Sequence, residues 1–349
     1  MFNTHFVLSF ALLLCLPLLF LFAPRILPPK HVKISLPDEL DDLALFRRAT
    51  LASLHAPGSI SRLGTINPKP KIAFLFLTNT DLHFAPLWQH FFPNNTDRKL
   101  YNIYVHADPS AKLTPPGGVF EGRFIAAKKT ERSSPTLISA ARRLLATALL
   151  DDPLNHYFAL VSQHCIPLHS FRYVYNNLFA ESTQYPTQLP YLSFIEILSD
   201  EPQLWDRYTA RGKNVMLPEI PFERFRVGSQ FFVLSRSHAL VVIKDRRLWR
   251  KFKLPCLNTE SCYPEEHYFP TLLSMEDPDG CSHYTLTRVN WTDSTGGHPH
   301  TYRAADVSPE LIYKLRESNT THPFMFARKF SPDSLVPLMD IAGDVIFRD

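Results

Sequence analysis

At 349 residues, with 45% hydrophobic and 20% charged side chains, the chain has an ordinary globular composition and enough apolar surface for a sizeable core. Its 37 basic and 33 acidic residues leave a net charge of +4, too mild for a nucleic-acid partner but compatible with small anionic ligands. The 30 prolines against 11 glycines point to rigid loops and short connections.

The first element is FVLSFALLLCLPLLFLFA at 6–23, which carries no charge and is just long enough to span a bilayer. A cleaved signal peptide is the competing reading. No clean small-x-small site follows, and Pro24 stands behind the only candidate, so residues 1–24 read as an uncleaved anchor. Arg25, Lys30 and Lys33 follow the segment, which by the positive-inside rule alone places the bulk of the chain in the cytosol. The sequons at Asn94, Asn290 and Asn319 oppose that orientation. So does cysteine usage. Cys15 lies in the apolar segment, and of the remaining Cys165, Cys256, Cys262 and Cys281 the last three look like a local staple with its pairing open. No CxxC pair suggests zinc. The compartment reads as oxidising and lumenal.

Residues 25–69 form a stem rich in proline, leucine and charge, with one amphipathic helix over 38–54, and a globular domain fills 70–349. KIAFLFLTN at 71–79 is a continuous apolar run ending in small polar residues, the pattern of a buried parallel strand. A helix over 81–92, a strand over 100–108 and a third strand over 121–127 follow. The segment 135–150 is a strong amphipathic helix with Arg142 and Arg143 on its wet face. A strand over 156–165 and a helix over 169–179 complete an alternating α/β half. Beyond it come a strand over 228–237, a helix over 238–249, a helix capped by Ser261 and running to 275, an edge strand over 286–293 and a helix over 308–316.

In such sheets ligands sit at the carboxyl ends of the strands. Those ends are Thr78 and Asn79, His106 to Asp108, and Ser162 to His164, all polar after apolar runs. Asp108 offers one carboxylate for a nucleotide or a metal; the bland alternative is a strand-end residue bonding the next loop. The one Asp-x-Asp pair, Asp277 and Asp279, stands away from these strand ends, so a departing diphosphate there would have to be neutralised by Lys or Arg, for which Arg303, Arg328 and Lys329 are candidates. Glu265 and Glu266 stand in a first helical turn after Pro264. Acidic residues there stabilise the helix dipole and need no further role, yet a carboxylate in that position also suits a general base. Trp291 and Trp205 are candidates for stacking on a sugar face. The histidines show no metal-triad spacing, and no Gly-x-Ser-x-Gly elbow, P-loop, GxGxxG or HExxH is present.

Taken in order, KIAFLFLTN (71–79), YNIYVHADPS (101–110), SQHCIPLHSF (162–171), FRVGSQFFVLSR (225–236), CYPEEHYFPTL (262–272) and VNWTDSTGGHPHTY (289–302) resemble the core-2/I-branching β-1,6-N-acetylglucosaminyltransferase family, glycosyltransferase family 14, in its plant branch. The resemblance covers residues 70 to 330. It implies a GT-A-like α/β fold, a Rossmann-type and mostly parallel sheet flanked by helices, with inversion at the sugar and no metal or other cofactor. It puts the base on Glu266, with Glu265 in the Asp position of the family's Pro-Asp-Glu-His. It puts the diphosphate on Lys329 and Arg303, the donor on Leu77, Thr78, Asn79 and Asp108, and the acceptor on Trp291. One departure is SQHC at 162–165 where plant members commonly have Ser-Glu-Ser-Cys, a change that would alter donor preference or reduce activity. The resulting expectation is a single-pass type II Golgi membrane enzyme with a lumenal catalytic domain. It would move a GlcNAc-type sugar or GlcA from a UDP-sugar co-substrate to a glycan or glycoprotein hydroxyl. The alternative is a catalytically degenerate glycan-binding or scaffolding relative.

Overall fold

The computed structural model describes residue 13 and residues 39–55, 69–93, 99–184, 191–292, 294 and 298–349. The anchor segment, Leu13 excepted, and Asn94 lie outside these residues. Among the described residues no helix is long and apolar enough to cross a membrane.

Helix α1 (Glu39–His55) is followed by β1 (Lys71–Thr78), α2 (Ala85–Phe91), β2 (Tyr101–Ala107), α3 (Pro135–Asp151), β3 (Asn155–Ser162), β4 (Ile166–Pro167) and α4 (Phe171–Gln184). Shorter elements make up the second half: β5 (Ser193–Glu196), α5 (Leu204–Thr209), β6 (Val233–Ser235), α6 (Arg236–Lys244), α7 (Trp249–Phe252), α8 (Pro264–Glu276), β7 (Cys281–His283), β8 (Thr287–Val289), α9 (Pro309–Arg316), β9 (Phe326–Arg328) and α10 (Leu335–Asp340). Six strands form one sheet in the order β2-β1-β3-β6-β5-β7, and β4-β9-β8 form a smaller one. In the large sheet β1 runs parallel to β2 and β3, β6 is antiparallel to both β3 and β5, and β5 is parallel to β7. The sheet is therefore mixed: a parallel trio continued by an antiparallel strand, a direction that periodicity does not encode.

Strand β1 is apolar at nearly every position because both of its faces are covered. Ile72, Phe74 and Phe76 point into one core, and Ala73, Leu75 and Leu77 into the other, as the two-residue period of a strand requires. Phe74 meets the rings of Trp88, Phe91, Phe92, Phe171 and Phe326 at 5.0 to 6.4 Å. Truncation to alanine there would cost about 3–5 kcal/mol, since so many partners cannot collapse into one hole. The carboxyl ends are in register, Thr78 opposite Ala107 and Leu77 opposite Ser162, so three polar strand ends open on one edge.

The structure corrects three expectations and fills in one pairing left open. Residues 121–127 form no strand; only Phe124 bridges to Val105. Arg142 and Arg143 are buried, not wet. The upstream helix α1 lies over them in the same compact unit, Pro37–Asp349: Asp42 pairs with Arg143, and the Arg142 guanidinium lies 4.7 Å from the Phe46 ring and 5.1 Å from that of Trp249. Ser261 does not cap α8, whose N-cap is Tyr263. Of the clustered cysteines, Cys256 and Cys262 are bonded, while Cys281, like Cys165, is free and buried.

Candidate functional site

The polar ends of β1 and β3 open into a cleft of about 320 Å³. Its walls come from stretches of chain far apart in sequence. Leu77, Thr78, Asn79 and the Ser162 to His164 turn line one side; the 130–132 loop, the start of α8, and Trp291 with His298, Arg328 and Lys329 line the others.

The rim is tied together by its own side chains. Gln163 Nε2 donates to Asn79 Oδ1 at 2.8 Å, joining the end of β3 to that of β1. His164 Nδ1 lies 3.1 Å from the Phe330 carbonyl, which can only accept, so Nδ1 carries the proton. Burial, helped by nearby Lys329, pushes His164 down to about 4, and its ring is neutral at physiological pH. The two residues at which the chain departs from the plant pattern are therefore built into the rim.

Asp108 is 3% exposed and is not among the residues lining the cleft. It accepts the Ser110 and Thr130 amides, each at 2.7 Å, and the Thr130 hydroxyl at 2.8 Å. Burial pushes its carboxyl up, but these bonds outweigh it and hold the group at about 2. Its work is to fix the loop whose Thr130, Glu131 and Arg132 do line the cleft.

Helix α8 begins abruptly. Cys262 is anchored by its disulfide, Tyr263 turns in the left-handed region at φ 36°, and Pro264 opens the helix. The sharp turn brings Glu265 and Glu266 to the cleft wall. Glu266 Oε2 accepts Arg207 Nη1 at 2.8 Å, an ion pair that orients the carboxylate. The Arg207 guanidinium in turn lies 5.1 Å from the Tyr263 ring. Gly228 donates its amide to the Glu266 carbonyl at 2.9 Å. A Cβ at Gly228 would stand 1.9 Å from the Glu196 carbonyl oxygen, so only glycine allows the end of β5 to pack this closely beside the helix start.

Three cations face the same space. Arg328 is largely buried against Phe231, its guanidinium 4.4 Å from the ring centroid. Lys329 is next to it, and burial, then the charges of Arg328 and Arg132, depress its ammonium. Arg132 contacts His298 and lies 5.9 Å from the Tyr263 ring. Trp291 lines the cleft and is 54% exposed, leaving a ring face open. Asn290 precedes it and is part-buried, whereas Asn319 is exposed on the surface.

The structure thus brings together Glu266, Lys329, Trp291, Leu77, Thr78 and Asn79. It leaves Arg303 outside: that residue is exposed, caps a short turn, and donates its amide to Asp306 at 2.8 Å. Arg328 and Arg132 face the cleft where Arg303 does not. Arg328 had a signal, its place beside Lys329; Arg132 had none, because its charged loop carries no pattern. Arg207 was equally hidden, since it reaches Glu266 from a different helix. Among the described residues no group of three or more His, Cys, Asp or Glu side chains is placed to hold a metal ion.

The family model Core-2/I-Branching enzyme matches residues 72–316. A curated relative, glycosyltransferase BC10 from rice (Oryza sativa subsp. japonica), is 28% identical over 322 residues, covering 78% of this chain and 76% of its own length.

Proposed function

The chain belongs to the core-2/I-branching family of glycosyltransferases, and on that premise we propose that it is an inverting transferase that uses a UDP-sugar and no metal. The observation that carries this is the convergence of one oriented carboxylate, Glu266, and three cations, Arg132, Arg328 and Lys329, on a single cleft at the strand ends.

In this reading the nucleotide lies on the rim at Leu77 to Asn79, with its diphosphate toward the cations. The acceptor hydroxyl approaches Glu266, and its sugar stacks on Trp291. Glu266 takes the hydroxyl proton while the oxygen bonds to the anomeric carbon from the face opposite the diphosphate. The bond from that carbon to the phosphate oxygen breaks, and its electron pair leaves with UDP. Attack from the opposite face inverts the centre and yields a β-linkage from an α-linked donor. General-base assistance of this kind contributes about 10²–10⁴-fold. Fixed cations stabilise charge as it develops on the leaving group, and they need no rearrangement to do so.

The donor is a GlcNAc-type sugar or GlcA, and the acceptor a glycan or glycoprotein. We place the enzyme in the Golgi membrane, anchored by residues 6–23 with the domain lumenal. Support comes from the bonded pair Cys256–Cys262, which suits an oxidising compartment. The test is a transfer assay on the full chain with UDP-GlcNAc, UDP-GlcA and UDP-xylose, each with and without EDTA. Transfer from one of them, undiminished by EDTA, is expected. Loss of all activity in EDTA would overturn the metal-free reading, and absence of any UDP binding would leave the degenerate glycan-binding relative in its place.

A further inference from the structure

Glu265 takes no part in the chemistry above, yet it lines the same cleft and is only 5% exposed. Its Oε1 accepts the Ser133 amide at 3.2 Å. Its Oε2 is buried without a hydrogen-bond partner among the described residues. A bare carboxylate oxygen in that position is costly, whereas a protonated carboxyl tolerates it far better.

Ser133 stands at φ 54°, in the left-handed region, directly after Arg132. Two acids therefore hold the loop that carries Arg132. Asp108 clamps Thr130 from outside the cleft, and Glu265 holds Ser133 from its wall. The first is surrounded by donors and is ionised. The second has two backbone amides, its own and that of Ser133, and a carboxylate neighbour, Glu266. Charge on the wall explains why the difference matters. Among the described lining residues, Arg132, Arg328 and Lys329 stand against Glu131 and Glu266, an excess of one positive charge. A charged Glu265 would cancel it. Burial, reinforced by the Glu266 charge, pushes Glu265 up to about 8, against the pull of its own amide, the Ser133 amide and Arg132. The buried guanidinium of Arg211 also acts on it.

We infer that Glu265 is a positioning residue that works uncharged: it pins the Arg132 loop through Ser133 without adding another carboxylate to the wall that receives a nucleoside diphosphate. The inference rests on the nucleotide reading given above and adds to it a pH range in which the site accepts its donor.

The test is UDP binding by calorimetry between pH 6.5 and 9, for the wild type and Glu265→Gln. Glutamine keeps an acceptor for the Ser133 amide and cannot ionise. Wild-type affinity should fall about tenfold between pH 7.5 and 9, the factor that one unit of unmatched protonation gives. In Glu265→Gln the fall should be about threefold or less, the remainder reporting Lys329. Measured in two buffers of different ionisation enthalpy at pH 8, the wild type should take up clearly more of a proton as UDP binds than the variant does, the variant's smaller uptake matching its shallower slope. Equal slopes and equal proton uptake would overturn the inference. Should the variant fail to fold, zero proton uptake by the wild type across the range overturns it alone. If UDP binds to neither protein at any pH, the nucleotide reading falls first and takes this one with it.

Discussion

Two clusters in this molecule each gather side chains able to do chemistry, and they differ in what decides function. In the interior, the Ser193 hydroxyl lies 2.7 Å from His238 Nδ1, and His238 Nε2 lies 3.0 Å from Asp277 Oδ2. On connectivity alone that is the nucleophile, base and acid of a hydrolase. At the cleft, Glu266 pairs with Arg207 and faces three cations. In the first cluster the hydroxyl and the imidazole are sealed, and only Asp277 reaches the surface: Ser193 is 0% and His238 1% exposed, and Ser193 also bonds Ser235, donating at 3.0 Å and accepting its amide at 2.8 Å. Burial lowers the His238 pKa, with Asp277 opposing it. The Ser193 hydroxyl already has its partners and no room to meet a substrate, so the cluster fastens β5 to β6 and α6. The second is open, has a part-exposed carboxylate, and sits where the parallel strands end. Access and a place for charge to develop separate a site from a polar core.

The sharpest way to break that contrast is to remove one base from each cluster. Glu266→Gln should lower transfer by roughly 10³-fold while leaving UDP affinity within about twofold, because only the proton acceptor is lost. His238→Ala should do the reverse. It should cost about 2–4 kcal/mol of stability by orphaning buried polar groups, with turnover per folded molecule unchanged. Turnover comparable to wild type in the first variant, or a vanished kcat in a folded second one, would reverse the assignment. Lys329→Ala comes next in size. A charge-assisted contact of about 1.5–3 kcal/mol predicts UDP binding weakened roughly ten- to a hundredfold, readable by calorimetry. Unchanged affinity would remove Lys329 from the diphosphate site.

How far the sequence revealed these regions follows from how local each feature is. The β1 run was legible because a strand covered on both faces must be apolar throughout. The end of α8 that bears Glu265 and Glu266 was legible from Pro264 and two acids in one turn. What was hidden depended on distant chain. Arg142 and Arg143 look wet by helical period, and only α1, nearly 100 residues upstream, shows them covered. Residues 121–127 have the composition of a strand, but a single bridge at Phe124 is all that β2 offers them. Neither the antiparallel entry of β6 nor the left-handed Tyr263 leaves a mark in composition. At the site, Arg132 and Arg207 arrive through a loop and a short helix remote from α8, and the role of Asp108 changed from contact to clamp because its partners lie 2 and 22 residues ahead.

The smallest expected effect is also the one that discriminates most finely between motif and geometry. The family resemblance puts Arg303 with Lys329, yet it is exposed and outside the cleft, while Arg328 and Arg132 are inside. Near it stands the Asp333 carboxylate, whose pKa is lowered by Ser331 first and by Arg303 least. An exposed charge in that position contributes at most a few tenths of a kcal/mol to a ligand it does not touch. Arg303→Ala should therefore change UDP affinity by less than about twofold, and less still at 0.5 M salt, where screening shortens its reach to a few ångström. Arg328→Ala, measured beside it, should lose far more, since that guanidinium is fixed against Phe231 on the cleft wall. A large loss at Arg303 would mean that Arg303 reaches the nucleotide once it is bound. The count of cations on the diphosphate would then have to be redrawn.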